Sequence, residues 1–422
     1  MFDAALPDVP RLRAPELLDE AGLTLIEANA ERLIEERGIE VGDIELAREI
    51  WRGTGTRVAG NRVYLPAGLA RHTVLNHARA RFKQAGRGRD VEFGASSRVA
   101  APAYGPPSVE WDGERRFGTT EDFVRVLKLV QASPSLRHAG GLVGDLGGCP
   151  PATRHLHQIG LSVQHCDKPL LGPAPNVAAY RDALKLARLA PGEAGDVVLL
   201  NLVNANSPLR YRKGMFRALV ETARLRQGLL LTSYCIPGLT APVTLAGAMA
   251  QGLAETLFGA ATAYRVNPDA CVIAGIIPVP FSMSSMRLAY GQPLTLMAAY
   301  LGASLIRRLG MPCRVDGGPS SAKLADAQAG FEAGIGIRAA VDAGADIILH
   351  AAGWLDNGLL FGGEKFSADI QTLEREFGTE GQTEAEEPLD PHIAREIDTF
   401  VATRSKQILA SPDLAAAYGA EA

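Results

Sequence analysis

The sequence predicts a fold of the α/β class, a (β/α)8 TIM barrel preceded by a mostly helical N-terminal cap. From residue 98 onward, a short apolar or β-branched run, a loop with Gly, Pro or Asn, and an amphipathic helix follow one another eight times. Strands that alternate with helices form a parallel sheet, because each crossover helix has to cover one face of it. Eight such units favour closure into a barrel, which needs roughly 250 residues. A doubly wound open sheet is the alternative.

The predicted elements of this repeat are short strands and helices of ordinary length. The strands are expected at 98–103, 137–143, 168–172, 197–202, 229–234, 270–276, 312–316 and 346–350. The helices are expected at about 119–132, 152–165, 177–189, 213–226, 242–265, 292–309 and 324–343, and one more begins near 364. The predicted domains are a cap at 1–95 and a barrel domain at 96–422.

The cap combines helical segments with one hairpin. Residues 15–36 place apolar side chains at helical spacing with charged residues between them. Residues 56–66 alternate Val and Tyr around a Gly-Asn pair, which is typical of a β-hairpin. A further helix is expected over 68–84, and the Gly-rich, charged run QAGRGRD that follows marks the boundary with the barrel.

Composition and charge exclude several classes of partner. The chain has 422 residues, of which 47% are hydrophobic and 21% charged, so it can bury a large core. A net charge of −4 provides no field that would attract nucleic acid or an anionic membrane surface. The five cysteines are scattered without CxxC pairs, and the first residues lack the pattern of a secretory signal. We therefore expect a cytoplasmic protein with reduced thiols and without nucleic acid or membrane partners.

In a barrel, function lies at the carboxyl ends of the strands, where the eight following loops meet. These loops are rich in Gly, Pro, Asn, Ser and aromatic residues and contain few carboxylates. Three of them carry the sequences IPGLTAPVTLAG at 236–247, GGPSSAKLADAQAG at 317–330 and HAAGWLDNG at 350–358. In order and spacing, the chain from about residue 15 to about residue 380 resembles the trimethylamine methyltransferase superfamily. The first of the three motifs is the most specific.

This resemblance implies an activity and a partner. Members of the superfamily are corrinoid-dependent methyltransferases built as (β/α)8 barrels, and the founding members contain pyrrolysine. The resemblance implies demethylation of an amine and a cognate corrinoid protein that accepts the methyl group, with no cofactor bound tightly to this chain. The present sequence contains no pyrrolysine. We therefore expect a quaternary amine substrate such as glycine betaine, as in the pyrrolysine-free relatives.

The chemistry of a quaternary ammonium agrees with this expectation. The nitrogen already carries the positive charge that makes it a leaving group, so attack by cobalt(I) releases a neutral tertiary amine without a general acid. The site has to hold the cation, exclude water and direct one methyl group outward. Aromatic rings suit this task, because each ring face attracts a quaternary ammonium by ~0.5 to 2 kcal/mol. Candidate cage residues follow predicted strand ends, where the alternative role is core packing: Tyr104, Tyr234, Phe281 and Trp354.

Charged residues near the same loops provide further candidates. Asp316 ends the seventh predicted strand, where it either supplies the negative charge of the cage or caps the next loop. Arg287 and Lys323 lie in the loops after the sixth and seventh strands. They either pair with a substrate carboxylate or remain as solvated surface charge.

Polar residues near these loops are candidates for orienting a substrate tail. Asn201, Asn204 and Asn206 flank the fourth strand end, and asparagine is also a common turn residue. Gln328 begins the helix after the seventh strand. His350 ends the eighth strand, where it faces either the pocket or the interior of the barrel.

Two other kinds of site have weak support in the sequence. His155, His157, His165 and Cys166 cluster on the second crossover helix, but the spacing of the first two places them on different helix faces. We therefore predict no metal site. Neither VDGG nor HAGGLVGDLGG matches a phosphate-binding glycine motif.

Two alternatives to the methyltransferase remain open. One is a phosphate-binding barrel isomerase or aldolase, for which Lys323 and Gly317–Gly318 are the best support. The other is a binding protein that retains the cage for a quaternary amine without catalysis. The amphipathic helices of the cap also make a homo-oligomer the expected state of assembly.

Overall fold

Parallel strands run through the centre of the chain in the order of the predicted repeat. The computed structural model describes residues 15–144, 146–172, 176–190 and 197–419. The strands are Val99–Ala100, Leu170–Gly172, Leu199–Asn206, Gly228–Cys235, Cys271–Pro278, Arg314–Asp316 and Ile347–Leu349. They are the first and the third to eighth strands of the repeat, and the irregular segment 136–140 takes the second place. Asp145 and residues 173–175, which belong to predicted loops, lie outside the described residues.

Each strand has its sequence neighbours as hydrogen-bonding partners. The third to sixth strands form one continuous parallel ladder. The eighth strand pairs in parallel with the seventh strand on one side and with the first strand on the other. Isolated parallel bridges join the remaining neighbours: Ala100 with Leu136, Gly140 with Leu170, and Ala274 with Cys313. These pairings confirm the predicted mixed α/β fold.

The second predicted strand, 137–143, is wrong as a regular strand. Only the bridges at Leu136 and Gly140 connect this part of the chain to its neighbours. Gly140 has φ +72°, which breaks the extended backbone, and its N–H donates to Nδ1 of His138. A local side-chain hydrogen bond thus replaces a ladder hydrogen bond here.

An apolar cluster lies between the parallel strands. Within the strands its members alternate with residues that pack toward the helices, as expected for two faces of a strand. The members include Val99, Leu171, Leu200, Leu202, Leu230, Ile273, Ile347 and Leu349. Phe82, Val91 and Phe93 belong to the same cluster and come from the hairpin Phe82–Gln84 and Val91–Phe93.

This hairpin corrects two sequence predictions. The helix expected over 68–84 ends at His77, and Phe82–Gln84 is a strand. The alternation of buried Phe82 and Gln84 with exposed Lys83 is a strand pattern that the helical interpretation overlooked. The hairpin lies on the cap side of the predicted boundary, although it packs with the interior of the parallel strands.

Helices follow the strands at the predicted places. They are Thr120–Ala132, Arg154–His165, Val177–Ala187, Lys213–Arg224, Leu245–Val266, Pro293–Arg308, Ala327–Asp342 and Gly363–Phe377. Several begin at side-chain caps that the sequence contains, such as Thr119, Asn176, Thr244 and Asp326. The chain then continues into two helices that were not predicted, Pro391–Ala410 and Pro412–Gly419. Among the described residues, no helix is both long and apolar enough to cross a bilayer.

The N-terminal region contains helices and short strands that pack on the outer helices. Its helices are Glu20–Arg32, which continues as a π-helical turn Leu33–Arg37, Ile44–Ile50 and Leu69–His77. Its strands are Ile39–Val41, Arg57–Ala59 and Arg62–Tyr64, and the last two form the predicted hairpin. All three of these helices contact Leu245–Val266, and Ile39–Val41 pairs in parallel with Arg210–Tyr211.

Further short strands lie in loops at the carboxyl ends of the parallel strands. The loop after the first strand folds into the hairpin Ser108–Trp111 and Glu114–Phe117. Leu360–Gly362 adds to this hairpin and pairs with Trp354–Leu355, and a 3₁₀ turn, Asp356–Gly358, joins these last two strands. Phe281–Ser282 and Arg287–Leu288 form a small hairpin after the sixth strand. A 3₁₀ turn, Pro151–Thr153, and a short strand, Arg210–Tyr211, each precede a helix.

Candidate ligand site

Aromatic side chains gather at the carboxyl ends of the parallel strands. Tyr104, Tyr234, Tyr290, His350 and Trp354 come from the first, fifth, sixth and eighth strands or their following loops. Tyr234, Tyr290, His350 and Trp354 contact one another through a hydrogen bond or through their rings, and Tyr104 is joined to His350 by its backbone N–H. We refer to these five residues as the aromatic cluster. Its floor is the apolar cluster between the strands, against which Tyr104 packs.

His350 is held as a neutral imidazole within the cluster. It is 7% exposed and has φ +55°, a conformation that β-branched residues avoid and that histidine tolerates better. Its Nδ1 accepts the backbone N–H of Tyr104 at 3.1 Å. Burial, together with the nearby charge of Arg314, holds the pKa of His350 well below its usual range. Because Nδ1 is the acceptor, the single proton of the neutral ring resides on Nε2.

Trp354 connects the histidine to a pair of tyrosines. The rings of His350 and Trp354 have centroids 4.2 Å apart in an edge-to-face arrangement, and Tyr290 meets Trp354 edge-on at 6.1 Å. The hydroxyl groups of Tyr234 and Tyr290 are 2.9 Å apart. Burial raises the pKa of Tyr234 to about 12 and that of Tyr290 further above its usual range. Both phenols therefore keep their protons at neutral pH.

A buried ion pair lies beside the tyrosines. Arg314 is 4% exposed, and its guanidinium donates to Oδ1 of Asp316 and, at 3.0 Å, to the hydroxyl of Thr232. Burial raises the pKa of Asp316, while the charge of Arg314 opposes the rise. A Cβ at Gly275 would lie 3.1 Å from Cδ of Arg314, so this glycine leaves room for the arginine between the strands. A polar layer of Arg, Asp and Thr thus covers the apolar floor.

Two glycines provide space for the aromatic rings. A Cβ at Gly141 would lie 2.1 Å from Cδ2 of Tyr104, and one at Gly358 would lie 2.3 Å from Cζ2 of Trp354. Real atoms do not approach so closely, so a larger residue at either position has to move the ring. Gly358 also has φ +87°, which glycine adopts without strain.

Several predicted site residues lie at the rim of this cluster. Phe281 is half-buried in the hairpin after the sixth strand. Arg287, in the same hairpin, is paired at 2.7 Å with Asp356 on the loop after the eighth strand. Lys323 is exposed, and its carbonyl oxygen accepts a hydrogen bond from Arg115.

The amide side chains that the sequence singled out have different positions. Asn201 donates to Thr222 at 2.7 Å and so faces the helix Lys213–Arg224. Asn204 follows Leu202 by two residues and faces the same side as the interior cluster. Asn206 accepts the N–H of Arg212 at 3.1 Å. Gln328 donates to Glu332 at 2.9 Å, within its own helix.

Sequence reasoning missed two residues of this region. Tyr290 was read only as part of a long loop, and Arg314 only as part of a buried strand. Arg314 and Asp316 are two residues apart on a strand, which places them on the same face and is a signal that the sequence contained. For Tyr290 we find no local signal, because its position depends on the path of the loop.

The described residues offer no cluster of three or more His, Cys, Asp or Glu side chains that could hold a metal ion. His155 is buried, 3.7 Å from Asp182, and its ring stacks on Tyr418. Burial lowers the pKa values of His155, His157 and His165. His155 therefore helps to attach the last helix, Pro412–Gly419, to the domain.

The chain is thus an α/β protein with an aromatic cluster at the carboxyl ends of its parallel strands. The family described as trimethylamine methyltransferase (MTTB) matches residues 4–387. The chain belongs to this family, as the loop sequences predicted.

Relatives with known activities and a solved structure agree with this assignment. The chain is 33% identical to glycine betaine methyltransferase of Desulfitobacterium hafniense (strain Y51) over 84% of its own length and 75% of that protein. It is 26% identical to proline betaine:corrinoid methyltransferase of Eubacterium limosum, over 85% of this chain and 74% of that one. The crystal structure of monomethylamine methyltransferase (MtmB) from Methanosarcina barkeri matches with a TM-score of 0.53 and 13% identity, over 93% of this chain and 87% of that one. This last likeness shows a shared fold.

Proposed function

We propose that this protein transfers a methyl group from a quaternary amine, with glycine betaine as the best candidate, to the corrinoid of a separate protein. The observation that carries the proposal is the aromatic cluster at the carboxyl ends of the strands, in a chain that belongs to a methyltransferase family. Relatives named for glycine betaine and proline betaine support a quaternary amine that bears a carboxylate.

The electrostatics of the cluster suit a ligand that arrives with its own positive charge. The phenols of Tyr234 and Tyr290 and the imidazole of His350 are neutral, so their rings attract the cation without placing a like charge beside it. The Nε2–H of His350 is a donor suited to a carboxylate oxygen of the same ligand. Asp316 is paired with Arg314, so these two side chains together add no net charge beside the ligand.

The reaction that such a site supports needs positioning rather than proton transfer. The carbon of one methyl group forms a bond to cobalt(I), the C–N bond breaks, and its electron pair stays on nitrogen. The amine leaves as a neutral tertiary amine, so no protein group has to donate a proton. The contribution of the chain is to hold the ammonium, exclude water and direct the methyl group outward.

A closed (β/α)8 barrel is the architecture that we propose for the parallel strands. The pairing of the eighth strand with the first, together with the bridges on both sides of segment 136–140, supports closure. The separate apolar cluster between the strands also supports it, because an open sheet has no enclosed interior. The division into a cap at 1–95 and a barrel domain at 96–422, a homo-oligomeric state and a cytoplasmic location remain predictions.

Exposed apolar side chains around the site support a protein partner. Such side chains are expected at interaction surfaces. They lie on loops after the first, fifth, sixth, seventh and eighth strands and on the first turns of the following helices: Phe117, Leu239, Val243, Met283, Met286, Met297, Leu324, Phe331 and Leu359. A corrinoid protein that accepts the methyl group has to approach this same face.

Methyl transfer to free cob(I)alamin tests the proposal and separates it from its alternatives. We expect conversion to methylcobalamin with glycine betaine or a close analogue such as proline betaine or carnitine. A non-catalytic binding protein would bind one of these compounds in a calorimetric titration without transferring a methyl group. Absence of both binding and transfer across the panel would refute the proposal and leave the isomerase or aldolase alternative.

A further inference from the structure

Three buried carboxylates share one arrangement behind the aromatic cluster. Glu255, Glu332 and Asp369 belong to the helices that follow the fifth, seventh and eighth strands, and each is less than 9% exposed. Each accepts a backbone N–H from a loop at the carboxyl ends of the strands. The donors are Leu209, Ser321 and Gly353.

Glu332 is connected to Tyr290 through one serine. Its Oε2 accepts two hydrogen bonds, one from the hydroxyl of Ser320 and one from the backbone N–H of Ser321, each with a donor–acceptor distance of 2.7 Å. The hydroxyl oxygen of Ser321 in turn accepts the N–H of Tyr290 at 2.8 Å. A Cβ at Gly291 would lie 2.5 Å from Cγ of Glu332, so the residue after Tyr290 packs directly on this side chain.

Glu255 joins the residue before Tyr234 to the loop after the fourth strand. It accepts the hydroxyl of Ser233, the residue before Tyr234, at 2.6 Å. It also accepts the hydroxyl of Ser207 at 2.7 Å and the N–H of Leu209 at 2.8 Å, both in the loop after the fourth strand. The loop and the strand that carries Tyr234 are therefore joined through one carboxylate.

Asp369 fixes the backbone next to Trp354. It accepts the N–H of Gly353, the residue before Trp354, at 2.9 Å. Nζ of Lys365 lies 2.5 Å from both of its oxygens and 3.4 Å from the carbonyl oxygen of Gly318. Both side chains of this pair are about 1% exposed, so the pair joins the loops after the seventh and eighth strands inside the protein.

We propose that Glu255, Glu332 and Asp369 are positioning residues that set the places of Tyr234, Tyr290 and Trp354 around the ligand. This inference rests on the proposed function, because it assumes that these rings hold a quaternary ammonium. Replacing a buried ion pair with apolar residues often leaves a protein equally or more stable, so stability alone gives little reason for the pair of Asp369 with Lys365. Hydrogen bonds to a charged acceptor are short and directional, which suits the fixing of loops.

A pair of double variants tests the role of Asp369 without leaving Lys365 unpaired. Lys365→Met with Asp369→Asn removes both charges and keeps an oxygen that can accept the N–H of Gly353. Lys365→Met with Asp369→Leu removes the acceptor as well. The protein labelled with 5-fluorotryptophan gives three fluorine resonances, because it has three tryptophans, and Trp354→Phe identifies one of them.

We refer to the two double variants as the Asp369→Leu pair and the Asp369→Asn pair. We expect the Asp369→Leu pair to shift or broaden the Trp354 resonance and to weaken glycine betaine binding about tenfold. The Asp369→Asn pair should stay close to the wild type. The Trp51 resonance reports whether the fold is intact. Unchanged fluorine resonance and unchanged affinity in a folded Asp369→Leu pair would overturn the inference. If the wild-type protein binds no betaine, the proposed function fails, and the fluorine spectrum still decides the positioning role.

Glu332 provides a second test if the Asp369→Leu pair does not fold. Glu332→Met, which removes the acceptor, is expected to raise KM for glycine betaine about tenfold with a smaller effect on kcat, because a displaced ring weakens binding first, whereas Glu332→Gln, which keeps an oxygen that can accept, should stay close to the wild type. Asp342→Asn is the matched control, since Asp342 lies at the other end of the same helix and pairs with Arg338. Equal KM values for Glu332→Met and Asp342→Asn would contradict the proposal.

Discussion

Trp354 lies among the other aromatic residues at the strand ends, and its place in a ligand site stays a prediction. Its loop was expected to present an aromatic ring to the ligand, and its ring lies against His350 and Tyr290. Trp354→Ala should weaken glycine betaine binding by about 1 to 2 kcal/mol, the value of one desolvated cation–π contact. Isothermal titration calorimetry measures this change directly.

A matched control for this variant is Tyr64→Ala, since Tyr64 is an aromatic residue of the N-terminal hairpin that stacks with Arg57. It should leave the affinity for glycine betaine unchanged. Equal affinities for Trp354→Ala and the wild type would remove Trp354 from the proposed site.

Asp316 has a different partner from the one that the sequence suggested. It pairs with buried Arg314, so Asp316→Asn leaves a guanidinium without its counter-charge. We expect this variant to lose about 3 to 5 kcal/mol of unfolding free energy, as is typical when one member of a buried pair is removed. Urea unfolding measures the loss.

The combination of Arg314→Met with Asp316→Asn should recover much of this stability, because the unpaired charge is then absent. If Asp316→Asn alone is as stable as the wild type, the ion pair contributes nothing to the free energy of unfolding. If Asp316→Asn keeps its stability but has a raised KM for the substrate, the direct role of Asp316 as the negative charge of the cage is supported instead.

Single residues show why the candidate site was only partly predictable. Positions at strand ends, such as Tyr234 and His350, follow from the repeat, because parallel strands end at one edge. Asn201 precedes the inward-facing Leu202 by one residue, so its side chain faces the other side of the strand. A sequence prediction that misplaces the strand by one residue reverses the faces assigned to both side chains. Tyr290 lies in a loop whose path depends on Ser321 and Glu332, and its position could not be predicted locally.

At the scale of elements, the helix Ala327–Asp342 shows how close packing supports the site. A Cβ at Gly336 would lie 2.2 Å from the carbonyl oxygen of Gly317, whereas one at Gly334 meets nothing within 4 Å. Gly334→Ala should therefore stabilise the protein by about 0.5 to 1 kcal/mol through helix propensity. Gly336→Ala should destabilise it, because the helix has to move away from the loop after the seventh strand.

The two glycine variants control for each other, since they lie two residues apart on one helix. Thermal unfolding of both gives the comparison. Equal stabilisation by the two alanines would mean that the helix does not pack on Gly317 as described. Gly336→Ala should also weaken ligand binding, because the same loop contacts Tyr290 through Ser321.

Elements with strong periodicity were predicted well, and irregular ones were not. The helices after the strands begin and end within a few residues of the expected positions. Segment 136–140 is irregular because Gly140 and His138 form a local hydrogen bond, which a pattern of apolar residues does not reveal. The hairpin Phe82–Gln84 with Val91–Phe93 was missed because each strand has only three residues, so its alternation is too short to outweigh the helical spacing assigned to residues 68–84.

At the scale of the whole molecule, buried histidines such as His138 and His350 make the folded state sensitive to acid. Burial lowers the pKa of His138 from 6.5 to about 3 and that of His350 well below its usual range. Below pH 6.5 the unfolded chain binds protons at these residues and the folded protein does not, so stability falls as the pH falls. Each histidine should contribute a loss of about 2 kcal/mol between pH 7 and pH 5.

Urea unfolding at the two pH values measures this loss. His138→Gln should have a smaller difference between pH 7 and pH 5 than the wild type, because it lacks one of these groups. His72→Gln is the control, since His72 is exposed. An equal pH dependence in all three proteins would contradict the neutral, buried state of His138.

The central claim concerns the charge of the substrate nitrogen, and one comparison tests it most directly. Glycine betaine, a quaternary amine, and dimethylglycine, the tertiary amine that remains after one methyl transfer, are each supplied with the protein and cob(I)alamin at neutral pH. Formation of methylcobalamin is followed by its absorption spectrum. The account predicts methyl transfer from glycine betaine and none from dimethylglycine. Equal turnover of the two compounds would contradict it.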